Sequence, residues 1–218
     1  MKKTNSYLPL KTSYRRRLPH RQRENAIYLI TFRLAGSLPK SVILKLKNEK
    51  AFQKKELLQK GLSEKEIQIE LSKLSQLYFG KYDDLLDNAD GPHHLKKKEF
   101  AQIVVNSIMH FDNQRYSVVN YCIMSNHVHL ILSELQCELS KVLGSMKKFS
   151  GREINKIMGT TGENFWHHEN FDHMIRNEWA LQRFIQYNLM NPVKAKLIKD
   201  WKTWEWSYLR NDLNQYAP

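Results

Sequence analysis

Cysteine is nearly missing: Cys122 and Cys137 are the only two. Two thiols cannot build a disulfide framework or a cysteine-rich zinc module, so a reducing, cytoplasmic setting is expected. No apolar run approaches the ~18 residues of a membrane span. The opening stretch MKKTNSYLPLKTSYRRRLPHRQREN is positive but has no apolar segment of the kind a secretory signal carries, and no membrane partner is expected. Acidic side chains are also short: 22 Asp and Glu face 35 Lys and Arg, a formal net charge of +13. The basic residues recur along the chain instead of gathering in one tail, which makes a polyanion the first partner to consider. GTTGEN (159–164) lacks the lysine of a phosphate-binding loop, and no internal repeat or low-complexity tract occurs.

What is present suits one soluble domain, with or without an insertion: 218 residues, 41% of them hydrophobic. Residues 1–25 read as a basic arm. AIYLITFRL (26–34) is rich in strand formers and reads as a first strand. Between 41 and 90 lies an expected helical insertion. Lys, Glu, Leu and Gln dominate as far as Ser75, Gly61 divides two helices, and Ser63 with Glu66 fits a capping box. FGKYDDLLDNADGPHHL (79–95) then looks like a turn-rich connector.

Further along, KKKEFAQIVVNSIMHF (96–111) is an amphipathic helix, and YSVVNYCIM with HVHLILSE form two strands joined tightly at Ser125–Asn126. Apolar positions from Leu139 to Ile157 mark another helix. NFWHHENFDHMI (164–175) reads as an extended segment. Asn177 caps a helix running to about Met190, where Pro192 stops it. Strands at both ends and in the middle, with helices between, describe an α+β domain over 26–210 with one mostly antiparallel sheet, followed by a tail at 211–218.

His127 and His129 stand out. In an extended strand, side chains at i and i+2 leave the same face, so the two rings lie side by side. Such a pair is either a hydrogen-bonded structural feature or two ligands of an open metal site, and the second reading needs a further group to converge on it. The helix after Asn177 offers one, because Phe184, Tyr187 and Asn191 share a face and Tyr187 and Asn191 are one turn apart.

HVH on a strand and YNLMNP on a later helix together match a known pattern. The sequence resembles the single-tyrosine HUH transposases, and among them the REP-associated tyrosine transposases linked to repetitive extragenic palindromes. The resemblance rests on YCIMSNHVHLIL and on FWHHENFDHMIRNEWALQRFIQYNLMNPVKAKLI, with YLITFRL and WEWSYL in support; it spans about 20 to 210, the stretch 40–90 fitting as the longer variant some relatives carry. It implies a ferredoxin-like or RRM-like fold and a metal-dependent endonuclease and strand transferase acting on single-stranded or hairpin DNA.

Carried over by position, the resemblance makes Tyr187 the nucleophile and His127, His129 and Asn191 the ligands of a divalent cation, Mg or Mn. Asn126 and Asp172 are expected to support the site. Arg15, Arg16, Arg17, Lys147, Lys148, Arg152, Lys156 and Arg176 are candidate DNA contacts, each equally readable as a solvated surface cation. Trp201, Trp204 and Trp206 are read either as base-stacking platforms or as core. Monomer and homodimer both stay open. The alternatives to a transposase are a domesticated hairpin-binding protein without chemistry and a relaxase or replication initiator.

Overall fold

The computed structural model describes residues 10–15, 19–23 and 26–218, with side chains from residue 26 onward. By internal contacts the chain separates into two units, Met1–Ala35 with His93–Pro218, and Gly36–Pro92. Among the described residues no helix is long and apolar enough to cross a membrane.

The first unit is built on a five-stranded sheet. Its strands are β3 (Ile27–Arg33), β4 (Ser117–Ile123), β5 (His127–Ser133), β6 (Phe171–Ile175) and β7 (Ser207–Leu209), in the spatial order β6-β3-β5-β4-β7 and antiparallel throughout. β5, which carries the histidine pair, is the middle strand. It is joined to β4 by the expected hairpin, closed by Met124 N–H donating to the His127 carbonyl at 2.9 Å.

Every residue of β4 and β5 is buried, which means the sheet is covered on both faces. The faces differ in composition. Tyr28, Ile30 and Phe32 of β3, with Leu34 just after it, join Val128, Leu130 and Leu132 of β5 in the hydrophobic core under α3 (Lys98–Met109) and α4 (Leu139–Met158). Phe100, Ala101, Val104 and Ile108 of α3 and Val142, Leu143, Met146 and Ile154 of α4 complete it. Each such side chain contributes roughly 1.5–3 kcal/mol by leaving water. Trp166 locks α4 to the sheet by setting its ring edge-on to Phe32 and donating its indole N–H to Ser150 Oγ at 3.0 Å.

The alternate residues, Leu29, Thr31, Arg33, His127, His129 and Ile131, leave the opposite face by the period of two. α5 (Glu178–Lys194) covers that face, and buried amides fasten it there. Asn188 on α5 donates to Asn120 Oδ1 on β4 at 2.7 Å, and Asn120 in turn donates to the Tyr208 carbonyl of β7 at 2.7 Å.

Two expectations about helix ends need correction. α5 does not stop at Met190 but continues through Pro192 to Lys194. Proline removes one N–H from the ladder and normally costs about 3 kcal/mol inside a helix. Here Leu189, Asn191 and Pro192 are all buried, and the ladder resumes with Ala195 N–H bonding to the Asn191 carbonyl at 2.9 Å. Within the basic arm, β1 (Leu10–Arg15) and β2 (Pro19–Arg23) pair as an antiparallel ribbon. Beyond β7, the tail forms a 3-10 turn at Asn211–Tyr216 that buries Leu213 and Tyr216.

The second unit is helical. α1 (Lys40–Leu58) and α2 (Glu64–Asp87) are separated at Gly61, which takes φ of 65°. The capping box is formed: the Ser63 side chain accepts from Glu66 N–H, and the Glu66 carboxylate accepts from Ser63 N–H at 2.9 Å. α2 runs on to Asp87, through residues that read as a connector. Tyr78, Phe79 and Leu86 are buried on it, so side-chain burial outweighs the weak helix propensity of Gly80 and the aspartates. The true break comes at Asn88–Pro92. A Cβ on Gly91 would meet Ser37 Cα at 2.7 Å, so only glycine fits there.

Candidate active site

His127 and His129 converge from the β5 face toward α5. Their Nε2 atoms lie 2.9 Å apart, the rings are perpendicular, and both side chains are fully buried. Each ring is held from behind. His127 Nδ1 is 2.7 Å from Asn126 Oδ1, and His129 Nδ1 is 3.0 Å from Thr31 Oγ1, directly across the β3–β5 register. An amide oxygen only accepts, so the Asn126 contact fixes the His127 proton on Nδ1 and leaves Nε2 as a lone pair.

Asn191 arrives from α5, fully buried, with its amide Nδ2 2.8 Å from His129 Nε2. The donors and acceptors of this trio conflict. If His129 Nε2 carries a proton, it faces an amide N–H; if it does not, it faces the lone pair of His127. A divalent cation removes the conflict, because it takes the lone pair of each ring nitrogen and, once the amide turns over, its oxygen. His127, His129 and Asn191 are therefore candidates to hold a cation, and three such ligands would leave positions open for substrate.

Tyr187 lies one turn before Asn191. Its ring meets that of His129 edge to face with centroids 6.1 Å apart. Lys194 donates to the Tyr187 hydroxyl at 3.3 Å. The helix thus supplies a ligand-type amide, a phenol and an ammonium along one stripe, while the sheet supplies two imidazoles.

The other candidates are scattered. Asp172 pairs with Ile30 in the β6–β3 register, which places it on the face opposite the histidines. Its Oδ1 accepts from Asn170 at 3.2 Å. Lys147 donates to the carbonyls of His167 and His168 at 2.7 and 3.1 Å, an internal use of its charge. Arg152 and Lys156 both bond Glu153, at 2.9 and 3.2 Å, and these bonds hold the Glu153 carboxyl below its ordinary range. Lys148 and Arg176 are exposed. Arg15 ends β1, with only its backbone described, and Arg16 and Arg17 lie outside the described residues. Trp201, Trp204 and Trp206 are half-buried; Trp206 packs against the core and Trp204 donates to the Ile123 carbonyl at 3.1 Å.

Sequence reasoning missed two members of the site. Thr31 was legible only as one more residue of a strand, since its role depends on cross-strand register. Lys194 was hidden by the assumption that the helix ends at Pro192.

Residues 94–187 match the family model described as transposase, IS200-like, a span that includes both histidines and ends on the tyrosine. Among solved structures the fold is similar to that of a REP-associated tyrosine transposase bound to a REP hairpin, with a TM-score of 0.53 and 16% sequence identity over 95% of this chain and 88% of that one. No curated protein matches the sequence.

Proposed function

We propose, for a chain whose residues 94–187 match the IS200-like transposase family model, that it cuts and rejoins single-stranded DNA at hairpin-forming repetitive palindromes, with Tyr187 as nucleophile. The observation that carries this reading is the meeting of Tyr187 and Asn191, from one helix, with the facing Nε2 atoms of His127 and His129.

A phenol has a pKa of ~10 and is mostly protonated at neutral pH, so attack on phosphorus needs proton loss and stabilisation of charge. When bound by His127, His129 and Asn191, a divalent cation supplies Lewis acidity toward the scissile phosphate. Imidazole ligands suit Mn²⁺ better than Mg²⁺, so tighter binding of Mn²⁺ is expected. Tyr187 Oη forms the new bond to phosphorus as the bond to the 3′-oxygen breaks. The products are a 5′-phosphotyrosine and a free 3′-OH, and the covalent link conserves the bond energy for a second 3′-OH to reseal.

The tilt of the His129 ring is held by Thr31, and the tautomer and tilt of His127 by Asn126. The net charge of +13 favours a polyanionic substrate, and the similar solved structure holds a hairpin. We assign the exposed Lys148 and Arg176 to phosphate contact; Arg152 and Lys156, shared with Glu153, contribute less.

The test is incubation with end-labelled single-stranded hairpin DNA and Mn²⁺, followed by denaturing electrophoresis. A protein-linked DNA band that disappears in Tyr187→Phe and on chelation supports the reading. Hairpin binding with no adduct at any sequence tried favours a protein that only holds such DNA. Nicking confined to an origin-like hairpin favours an initiator.

A further inference from the structure

Because α5 continues through Pro192, its last turn carries Lys194 on the stripe of Tyr187 and Asn191, at i+7 and i+3 from them. The ammonium reaches back along the helix, 3.3 Å from Tyr187 Oη and 5.2 Å from the centre of its ring. A lysine in a last helical turn has an ordinary use, since it opposes the negative end of the helix dipole. That use does not require a place beside the one hydroxyl from which chemistry would start.

From this geometry we infer that Lys194 is a catalytic residue that binds a non-bridging oxygen of the scissile phosphate. The inference rests on Tyr187 being the nucleophile. A phosphate ready for attack has its phosphorus about 3–3.5 Å from Oη. An ammonium 3.3 Å from that same oxygen stands within reach of the phosphate's outer oxygens. The Oη–P bond forms while the P–O3′ bond breaks. The electron pair of the broken bond stays on O3′, which takes a proton from water, and the phenol proton leaves to solvent. Charge on the non-bridging oxygens is greatest between these two states, and a positioned cation is most favourable there. Once the phenol oxygen is esterified it is a poor acceptor, and the ammonium remains with the phosphate. Lys194 would serve resealing in the same way, because that reaction crosses the same arrangement backwards.

The experiment measures the single-turnover rate of adduct formation with Mn²⁺ at saturating hairpin DNA, for the parent chain, Lys194→Met and Lys194→Arg. The expected result is a fall of about 10- to 100-fold in Lys194→Met, smaller than the largest losses of a charge-stabilising donor because the site is open to solvent. Hairpin affinity, set mainly by the other phosphate contacts, should fall far less than the rate, the thermal midpoint should move only slightly, and Lys194→Arg should recover most of the rate. A second substrate carries a neutral methylphosphonate at the scissile linkage. With no charged outer oxygen to grip, the parent should lose its advantage over Lys194→Met. Equal rates of parent and Lys194→Met on the ordinary phosphodiester overturn the inference, as does an undiminished deficit on the methylphosphonate. If the parent itself forms no adduct with any hairpin, the cleavage reading falls and this inference falls with it.

Discussion

Thr31 Oγ1 lies 3.0 Å from His129 Nδ1, between residues directly paired across β3 and β5. The contact fixes the orientation of a ring whose other nitrogen points at His127. Groups that orient metal-binding imidazoles typically matter by about 10- to 100-fold in affinity. Thr31→Val, which keeps the shape and removes the hydroxyl, is therefore expected to weaken Mn²⁺ binding by at least about tenfold, and Thr31→Ser should restore it. Calorimetric titration of the DNA-free protein measures this directly, and unchanged affinity in Thr31→Val would remove the threonine from the site.

His129→Ala and Asn191→Ala should separate cation binding from DNA binding. Both variants are expected to lose Mn²⁺-dependent adduct formation. Hairpin retention in a gel-shift assay with chelator present should persist, since phosphate contacts elsewhere supply most of that affinity. Asn191→Gln, which keeps the amide on a longer stem, should retain part of the activity. Parental adduct yield in Asn191→Ala would show that the amide is not a ligand.

Lys148 is assigned to phosphate contact on its exposure. Each phosphate neutralised on a single strand adds about 0.7 to the slope of log affinity against log salt concentration. Lys148→Ala should flatten that slope by about one such increment with little preference among sequences. Lys156→Ala should change it less, because Lys156 is shared with Glu153 at 3.2 Å. Equal effects from the two would contradict the assignment.

Acid should loosen the first unit through His167. Burial, and then the nearby Arg33 guanidinium, lower its imidazole from 6.5 to about 4, while the bond to the Glu169 carbonyl works the other way. The folded chain favours the neutral ring, so between these values the unfolded chain binds more protons. The contribution is complete above pH 6.5 and is lost as pH falls toward 4. For a ring that is only partly buried, solvent screening limits this to about 2 kcal/mol at most. Urea unfolding at neutral and acid pH should show the decline, and His167→Gln should reduce it. Identical pH dependence in the two chains would assign the acid sensitivity elsewhere.

The parts of this molecule that could be read from sequence are those set by local chemistry. The alternation in YLITFRL and HVHLILSE gave the strands, Ser63 with Glu66 gave a helix start, and Asn177 gave another, its Oδ1 accepting from Ala180 N–H at 2.8 Å. The placing of His127 and His129 on one face followed from strand period alone. Helix ends were less legible, because Phe79 and Leu86 in α2 and Leu189 and Pro192 in α5 are held by burial, which overrides Gly80 and Pro192 as punctuation. Register was illegible. Nothing in the order of residues announces that Thr31 stands opposite His129, or that Asp172 falls opposite Ile30 and so points away from the histidines.

The hydrogen-bond relay from the Tyr208 carbonyl through Asn120 to Asn188 ends one residue from Tyr187, the proposed nucleophile. Completion of the last strand is thus mechanically linked to the aim of Tyr187. A product truncated before Ser207 would keep its cationic surface yet leave Asn120 unanchored, which should make it a binder that cleaves poorly. Coupled this way, a chain ending at residue 206 should retain hairpins yet give little adduct, and a parental adduct yield from it would break the link.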